Sequence, residues 1–438
     1  MTTADDREVR KLLLSLAESD HVANVKDPPS PHPFPARMPL PLAEHIVKKL
    51  VPKGSAIMDP MAGSGSTLVA ARKLGMTAQG TDIDPLAVLL SRTVVATYQR
   101  AELDQLGKRV LQGAAKVLKR LDRTTIPTLL GSSDEGRAFF QYWFPSISQR
   151  QLYSLSLAIR QEREPHLRDL AWAAFSSLII SKATSVSYAI DIPRSRPHKD
   201  HDRDITPPFD MWQRRFDQLV KRLPFLDQEI SAVQPTVELG DARYLRQGSA
   251  CFDLAFTSPP YLNAIDYLRG HKFSLVWMGH DLSTLRHTRG TMIGCERGMW
   301  KPDGLPPAME DHLMSTIDED RDRAIRRRYL SDLRYTILEM RRVVRPGGLI
   351  CLVLGPSILD DTAPDSPDIV RQLADSVDLK YVGGVLRPLK NARRSLPPPD
   401  MVSKKSELAS RMSCEAIVVL RTRVVASVGK LSRKRLVC

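Results

Sequence analysis

The chain has 438 residues, 42% of them hydrophobic, with 64 Lys and Arg against 50 Asp and Glu and a formal charge of +14. That length allows two or three domains with sizeable cores; no apolar stretch approaches bilayer-crossing length, and an N-terminus with Asp5, Asp6 and Glu8 is no signal peptide, so a cytoplasmic protein is expected. The basic balance favours a polyanionic partner such as nucleic acid, and five scattered cysteines without a CxxC pair suggest neither a disulfide framework nor a zinc cluster.

The first informative element is a short apolar strand, Ala56-Ile57-Met58. The turn Asp59-Pro60-Met61-Ala62-Gly63-Ser64-Gly65-Ser66-Thr67 follows, then a helical pattern over residues 68–74. Strand, glycine-rich turn and helix is the nucleotide-binding arrangement of doubly wound sheets. Gly63 and Gly65 admit a ligand where a Cβ would collide, and the N–H groups at the helix start suit a carboxylate or a phosphate. The third glycine of the dinucleotide fingerprint is absent, and so is the Gly-Lys-Ser/Thr of a P-loop. A second strand over residues 76–80 ends in Thr81-Asp82-Ile83-Asp84-Pro85. Asp82, at the strand tip, is placed to accept from both hydroxyls of a ribose, whereas Asp84 with Pro85 starts the next helix.

Residues 91–121 read as continuing helix, and Phe139, Phe140, Tyr142, Trp143 and Phe144 form a dense aromatic patch before Pro145. Helical periodicity returns over residues 151–159, 167–183 and 207–223. More chain lies between Asp84 and Asp241 than one crossover needs. Residues 99–233 therefore read as a mostly helical insertion, either a buttress with an aromatic core or a module that grips nucleic acid. Within it, residues 191–201 form a polar, proline-punctuated loop in which Arg194, Arg196 and Lys199 can contact phosphates or base edges. His198, Asp200 and His201 lack a regular ligand spacing, so no metal site is expected.

The apolar run over residues 252–256 reads as a buried strand, and it ends at Thr257-Ser258-Pro259-Pro260-Tyr261. A Pro-Pro pair neither continues a helix nor donates to a sheet, so the strand stops there. Two prolines leave neighbouring carbonyls free to accept from a ligand, with a hydroxyl before them and an aromatic ring after. Such a turn can stack a flat heterocycle while hydrogen-bonding its exocyclic amine, which suits chemistry on a nucleobase amino group. Residues 264–279 read as a helix whose start is placed to line the base pocket. Residues 280–320 lack periodicity and read as a loop over the active site. The basic run at 321–328, which includes Arg326, leads into a long helix to 344; a solvated helix face and a backbone-phosphate contact both fit it. Residues 388–405 form a basic, proline-rich loop containing Arg393 and Arg394, residues 415–420 a late strand, and the chain from 427 a disordered tail.

These pieces resemble the S-adenosylmethionine-dependent DNA amino-methyltransferases, which methylate adenine at N6 or cytosine at N4, over roughly residues 30–98 and 235–422. Residues 59–67 are similar to the family's cofactor loop, with Met61 and Ala62 where relatives usually carry Phe and Cys or Gly. Residues 257–261 resemble its catalytic motif in the form more usual for cytosine-N4 enzymes; adenine-N6 enzymes more often start it with Asp. His32-Pro33-Phe34-Pro35-Ala36-Arg37-Met38 resembles a segment that lies against the methionine end of the cofactor. Gly240-Asp241-Ala242-Arg243 resembles the acidic position near the cofactor's adenine, and residues 340–354 the helix, turn and fifth strand of the fold.

The resemblance implies an α/β fold, a Rossmann-like class I methyltransferase sheet over residues 1–98 and 234–438 with the helical insertion between. It implies S-adenosylmethionine as cofactor, double-stranded DNA as partner and a restriction or defence system as setting. The implied cofactor residues are Pro35, Ala36, Arg37, Asp59, Pro60, Ala62, Gly63, Ser64, Gly65, Ser66, Thr67, Asp82, Ile83, Asp241, Ala242 and Thr257. The implied catalytic residues are Ser258, Pro259, Pro260 and Tyr261. The Ser258 hydroxyl and Pro259 carbonyl would accept the amine protons and raise electron density on nitrogen for in-line attack, while Tyr261 stacks on a flipped base. Cys251 is not in the Pro-Cys setting of cytosine-C5 enzymes, so covalent catalysis is not expected. An RNA amino-methyltransferase is the competing reading, disfavoured by the short stretch before the proline-rich segment.

Overall fold

The computed structural model describes residues 2–18, 27–28, 30–34, 37–121, 133–182, 184–192, 197–228, 233–261, 266–295, 305–314, 320–355, 366–388 and 414–424. The first half contains α1 (Asp6–Glu18), α2 (Leu40–Leu50), β1 (Ala56–Asp59), α3 (Ser66–Lys73), β2 (Thr77–Asp82) and α4 (Pro85–Val95). Among the described residues five helices follow, α5 (Arg100–Arg120), α6 (Asp134–Trp143), α7 (Ser146–Arg160), α8 (Pro165–Ile180) and, after the short pair β3 (Ala189–Ile190) and β4 (His198–Lys199), α9 (Pro208–Val220). The sheet resumes with β5 (Thr236–Leu239) and β6 (Phe252–Thr257), then α10 (Tyr267–Leu275), α11 (Leu282–Thr291), α12 (Pro307–Met314) and α13 (Asp320–Val343). The remaining elements are β7 (Val344–Leu354), α14 (Ser366–Ser376), β8 (Leu379–Pro388) and β9 (Cys414–Thr422).

The seven main strands lie in the order β5-β2-β1-β6-β7-β9-β8. All pairings from β5 to β7 are parallel, and β9 runs antiparallel between β7 and β8. The winding reverses between β1 and β6, and at such a switch point the carboxyl ends of the strands open a crevice. Register explains the two-sided core. Ile57 pairs with Leu254 and both face the layer that holds Leu42, Ile46 and Leu68; Met58 pairs with Ala255 and both face the layer that holds Ile337, Met340 and Leu373. Alternate residues thus serve opposite layers, as a pleated strand buried on both faces requires. The result is the mostly parallel α/β sheet expected.

The insertion packs on the outer side of α4. Its core joins Leu86 and Leu90 of α4 to Leu106 of α5, Leu155 of α7, Trp212 and Phe216 of α9 and Phe273 of α10. Helix α8 is buried nearly all round and serves as the axis of this group. Phe140 and Phe144 of the aromatic patch lie 4.6 and 5.2 Å from the Trp277 ring, so they are core, while Tyr142 is exposed.

Three local expectations differ from the structure. The helix expected over 91–121 breaks into α4 and α5, because Tyr98 leaves helical geometry to donate to the Phe225 carbonyl (3.2 Å) and accept from Asp227 N–H (2.8 Å). That exchange ties the start of the insertion to its end. The loop expected over 280–320 contains α11 and α12; α11 buries only Leu285 and Gly290, too thin a stripe to show as periodicity. The loop expected over 191–201 begins in an antiparallel pairing of Ile190 with His198. Among the described residues no helix is long and apolar enough to cross a membrane.

Candidate active site

The loop after β1 is held almost entirely by its own neighbourhood. Ala62 N–H donates to the Thr81 carbonyl (2.9 Å) and Gly65 N–H to the Ala62 carbonyl (2.8 Å). Gly63 and Gly65 have φ of +53° and +86°, and a Cβ on Gly65 would stand 2.8 Å from Val94 Cγ2, so only glycine lets the loop lie on α4. The Ser91 hydroxyl donates to the Gly63 carbonyl (2.8 Å). At the tip of β2, Asp82 accepts from Gly63 N–H (2.8 Å) and Asp84 N–H (2.9 Å), one on each oxygen. Burial raises the Asp82 carboxyl to about 7, the Asp84 charge adding to the rise and the two N–H donors opposing it. Burial also raises Asp59 to about 6, against the nearby Thr257 and Thr67 hydroxyls and the Met61 N–H. Asp84 caps α4 through Leu86 N–H (2.9 Å) and pairs with buried His271 of α10 (2.5 Å).

Because β6 is the neighbour of β1, its tip emerges beside this loop, and the Thr257 hydroxyl acts on the Asp59 carboxyl. The turn beyond is seated by distant residues. The Tyr261 ring rests on Gly355, just past β7, where an added Cβ would stand 2.6 Å from Tyr261 Cγ and 2.8 Å from Cε2. Gly294, at φ +79°, would bring a Cβ within 3.3 Å of the Tyr261 carbonyl oxygen. Burial and then the Glu415 charge push the Tyr261 phenol up, and the Ser258 side chain partly offsets this. Glu415 itself is held in a buried pair by Arg387 Nε (2.8 Å) at the end of β8.

The segment before α2 closes over the cofactor loop. Phe34 Cε1 would be 3.7 Å from a Cβ on Gly63, and its ring stacks on Tyr267 at 5.3 Å and 18°. The Ser66 hydroxyl donates to the Met38 carbonyl (2.8 Å). Tyr267 is pushed up by burial and by the Asp82 and Asp84 charges.

A DNA methylase family model of the N6/N4 class matches residues 7–92, which hold β1, the glycine loop, β2 and most of α4. Among curated proteins, the type II methyltransferase M.MvaI of Kocuria varians is 20% identical over 414 residues, 89% of this chain and 90% of the relative. The chain is similar to DNA methylases of the N4/N6 family. A second relative, the type II methyltransferase M.BsoBI of Geobacillus stearothermophilus, is 23% identical over 279 residues, 58% of this chain and 53% of the relative, so the match spans about half its length. A SAM-dependent methyltransferase from Methanosarcina mazei superposes with a TM-score of 0.31 at 8% identity, covering 87% of this chain and 98% of that one.

The cofactor of this methylase family is S-adenosylmethionine, and the residues at the β1 and β2 tips fit it. No side chain caps α3, so its first N–H groups stay open to an acceptor. Each Asp82 oxygen uses one lone pair on a backbone donor and retains another for a ribose hydroxyl. Ile83 sits half-buried beside it.

Several expected site residues do something else. Arg37 turns its guanidinium to Asp27 (2.5 Å) and the Pro28 carbonyl (2.8 Å), bracing the entry to α2. Both Asp241 oxygens accept from Arg243, which also reaches Asp332 (2.6 Å) and the Thr291 carbonyl (2.7 Å); an adenine amine would have to share those oxygens. Arg326 is fully buried, so it is not the surface phosphate contact expected of the basic run. Lys199 lies over the Tyr142 and Tyr188 rings at 4.1 and 5.2 Å. Pro35, Ala36, Arg194, Arg196, Arg393 and Arg394 lie outside the described residues. Sequence reasoning missed His271, Gly294 and Gly355, whereas Tyr267 lies in the helix start expected to line the base pocket. Gly355 alone carried a signal, a glycine closing a long apolar strand.

Proposed function

We propose that this chain transfers a methyl group from S-adenosylmethionine to the exocyclic amine of a base in double-stranded DNA, with cytosine N4 as the acceptor. The reading is carried by the adjacency of β1 and β6 at the switch point, which sets the glycine loop and the Ser258-Pro259-Pro260-Tyr261 turn side by side. When bound, the cofactor supplies an electrophilic methyl on a sulfonium leaving group. Asp82 accepts from its ribose. The Ser258 hydroxyl and Pro259 carbonyl would accept hydrogen bonds from the amine and localise the nitrogen lone pair that ring delocalisation otherwise withdraws, and the proton left on nitrogen after methyl transfer would pass to water. Tyr261, fixed against Gly355, stacks on a base taken out of the duplex. Most of the rate enhancement is position and fixed dipoles. Ser258 stands where adenine-N6 relatives more often carry Asp, which favours cytosine. A restriction-modification setting accords with the type II methyltransferases that the chain is similar to. The test is to methylate duplex DNA, digest it to nucleosides and weigh the product. N4-methyldeoxycytidine is expected. N6-methyldeoxyadenosine would keep the chemistry and change the base, and C5-methyldeoxycytidine would overturn both.

A further inference from the structure

A cleft of about 260 Å³ lies between residues 30–34 and helices α8 and α9, lined by Arg215, Arg222, Gln218, Ser177 and His32 among others, with no acidic residue among the described residues of its wall. Arg215 is half-buried and its partners are neutral: Nη1 donates to Gln218 Oε1 (3.0 Å) and Nη2 to the Ser177 carbonyl (3.3 Å). Its Nε is buried with no hydrogen-bond partner. Arg222 donates to the Ser30 carbonyl (3.1 Å). Burial, then the charges of Arg222 and Arg214, weaken the hold of Arg215 on its proton, so its close neighbours share its sign. Two buried arginines are answered by acids, Arg243 by Asp241 and Asp332 and Arg387 by Glu415, whereas buried Arg72 donates to the Val95 carbonyl and the Thr97 hydroxyl. A half-buried guanidinium whose buried Nε lacks a partner keeps donors in reserve, and a planar fork of donors matches a phosphate or carboxylate.

We propose that this cleft binds a phosphate group, with Arg215 and Arg222 supplying the charge and the Gln218 amide nitrogen a further donor. The cleft adjoins Phe34, which lies over Gly63, so it sits at the rim of the cofactor loop. A phosphodiester of the DNA substrate is the favoured source, and that preference alone rests on the methyltransferase reading. A free phosphate is the other source.

The test compares the full chain with Arg222→Gln and with the Arg215→Gln/Arg222→Gln pair. Binding of a short labelled duplex is followed by anisotropy between about 50 and 200 mM salt, where each neutralised phosphate contributes about 0.9 to the slope of log K on log salt. The pair should lower duplex affinity about tenfold and flatten the slope by about 0.9. Arg222→Gln, an exposed change that should leave folding intact, should move both readouts in the same direction. If the source is free phosphate, inorganic phosphate should raise the melting temperature of the wild type and not of the pair, with the duplex slope unchanged. Two results overturn the proposal. One is no change in either readout. The other is a tenfold loss of cofactor affinity by calorimetry with DNA and phosphate binding intact, which would assign the arginines to the cofactor's carboxylate. Both binding readouts are independent of turnover, so a failure of the methyl-transfer reading would be seen separately.

Discussion

The cofactor tip of the sheet is built from residues close in sequence, and the catalytic tip from residues far apart. Asp59, Gly63, Gly65, Asp82, Asp84 and Ser91 hold one another through backbone donors and a helix cap inside a single β-α-β-α stretch. The turn after β6 packs instead against Gly294 and Gly355, far along the chain. On the proposed function, the cofactor would be held by a preformed loop, while the base pocket would form only when the whole sheet is assembled. Changes at one tip should leave the other's ligand largely untouched.

The strongest expected separation is Ser258→Ala. Loss of the hydroxyl that accepts from the amine should lower kcat about a hundredfold, the scale found when one preorganised hydrogen-bonding group is removed. Cofactor affinity by calorimetry should not move. An unchanged kcat would place activation of the amine elsewhere. Gly355→Ala comes next. The new methyl displaces the Tyr261 ring, and a misplacement of this size should cost about tenfold or more in kcat/KM for DNA at constant cofactor affinity. A matching loss of cofactor affinity would break the comparison between the tips.

Asp82→Asn should act at the other tip, weakening cofactor binding about tenfold with kcat at saturation retained, since about 1.4 kcal/mol is a reasonable worth for one charge-assisted hydrogen bond. The smallest effect is its pH dependence. With the carboxyl raised to about 7, the accepting anion is lost as pH falls below that value, so wild-type cofactor affinity should decline several-fold between about pH 8 and pH 6 and the Asn variant should be flat. The effect on stability has the opposite sign. An acid raised on folding stabilises the protein fully below the ordinary Asp value of about 4, and that contribution is lost as pH rises through about 7. Calorimetric titrations and melting curves of the cofactor-free protein across this window check both signs.

The same division governed what the sequence could reveal. The glycine loop, the Asp82 tip and the proline pair announce themselves locally, through positive φ, a strand end and a missing donor. Tyr98 gave no such signal, because the carbonyl that breaks its helix belongs to Phe225. His271 gave none either, since its partner Asp84 lies on the far side of the insertion. Arg326 was misread for a different reason. It falls on one helical face with Leu330, Leu333 and Ile337, all buried, but the surrounding charges hide that stripe. Asp241 has a local partner that its neighbourhood does announce, Arg243 two residues away.

The account stands on one shared chamber at the β1 and β6 tips, and a crystal structure with a non-reactive cofactor analogue and a duplex substrate measures it directly. The expected result is an extruded base at Ser258, its exocyclic nitrogen within about 3.5 Å of the methyl-bearing position, with the analogue's ribose on Asp82. An analogue and a base lodged in separate cavities would contradict it.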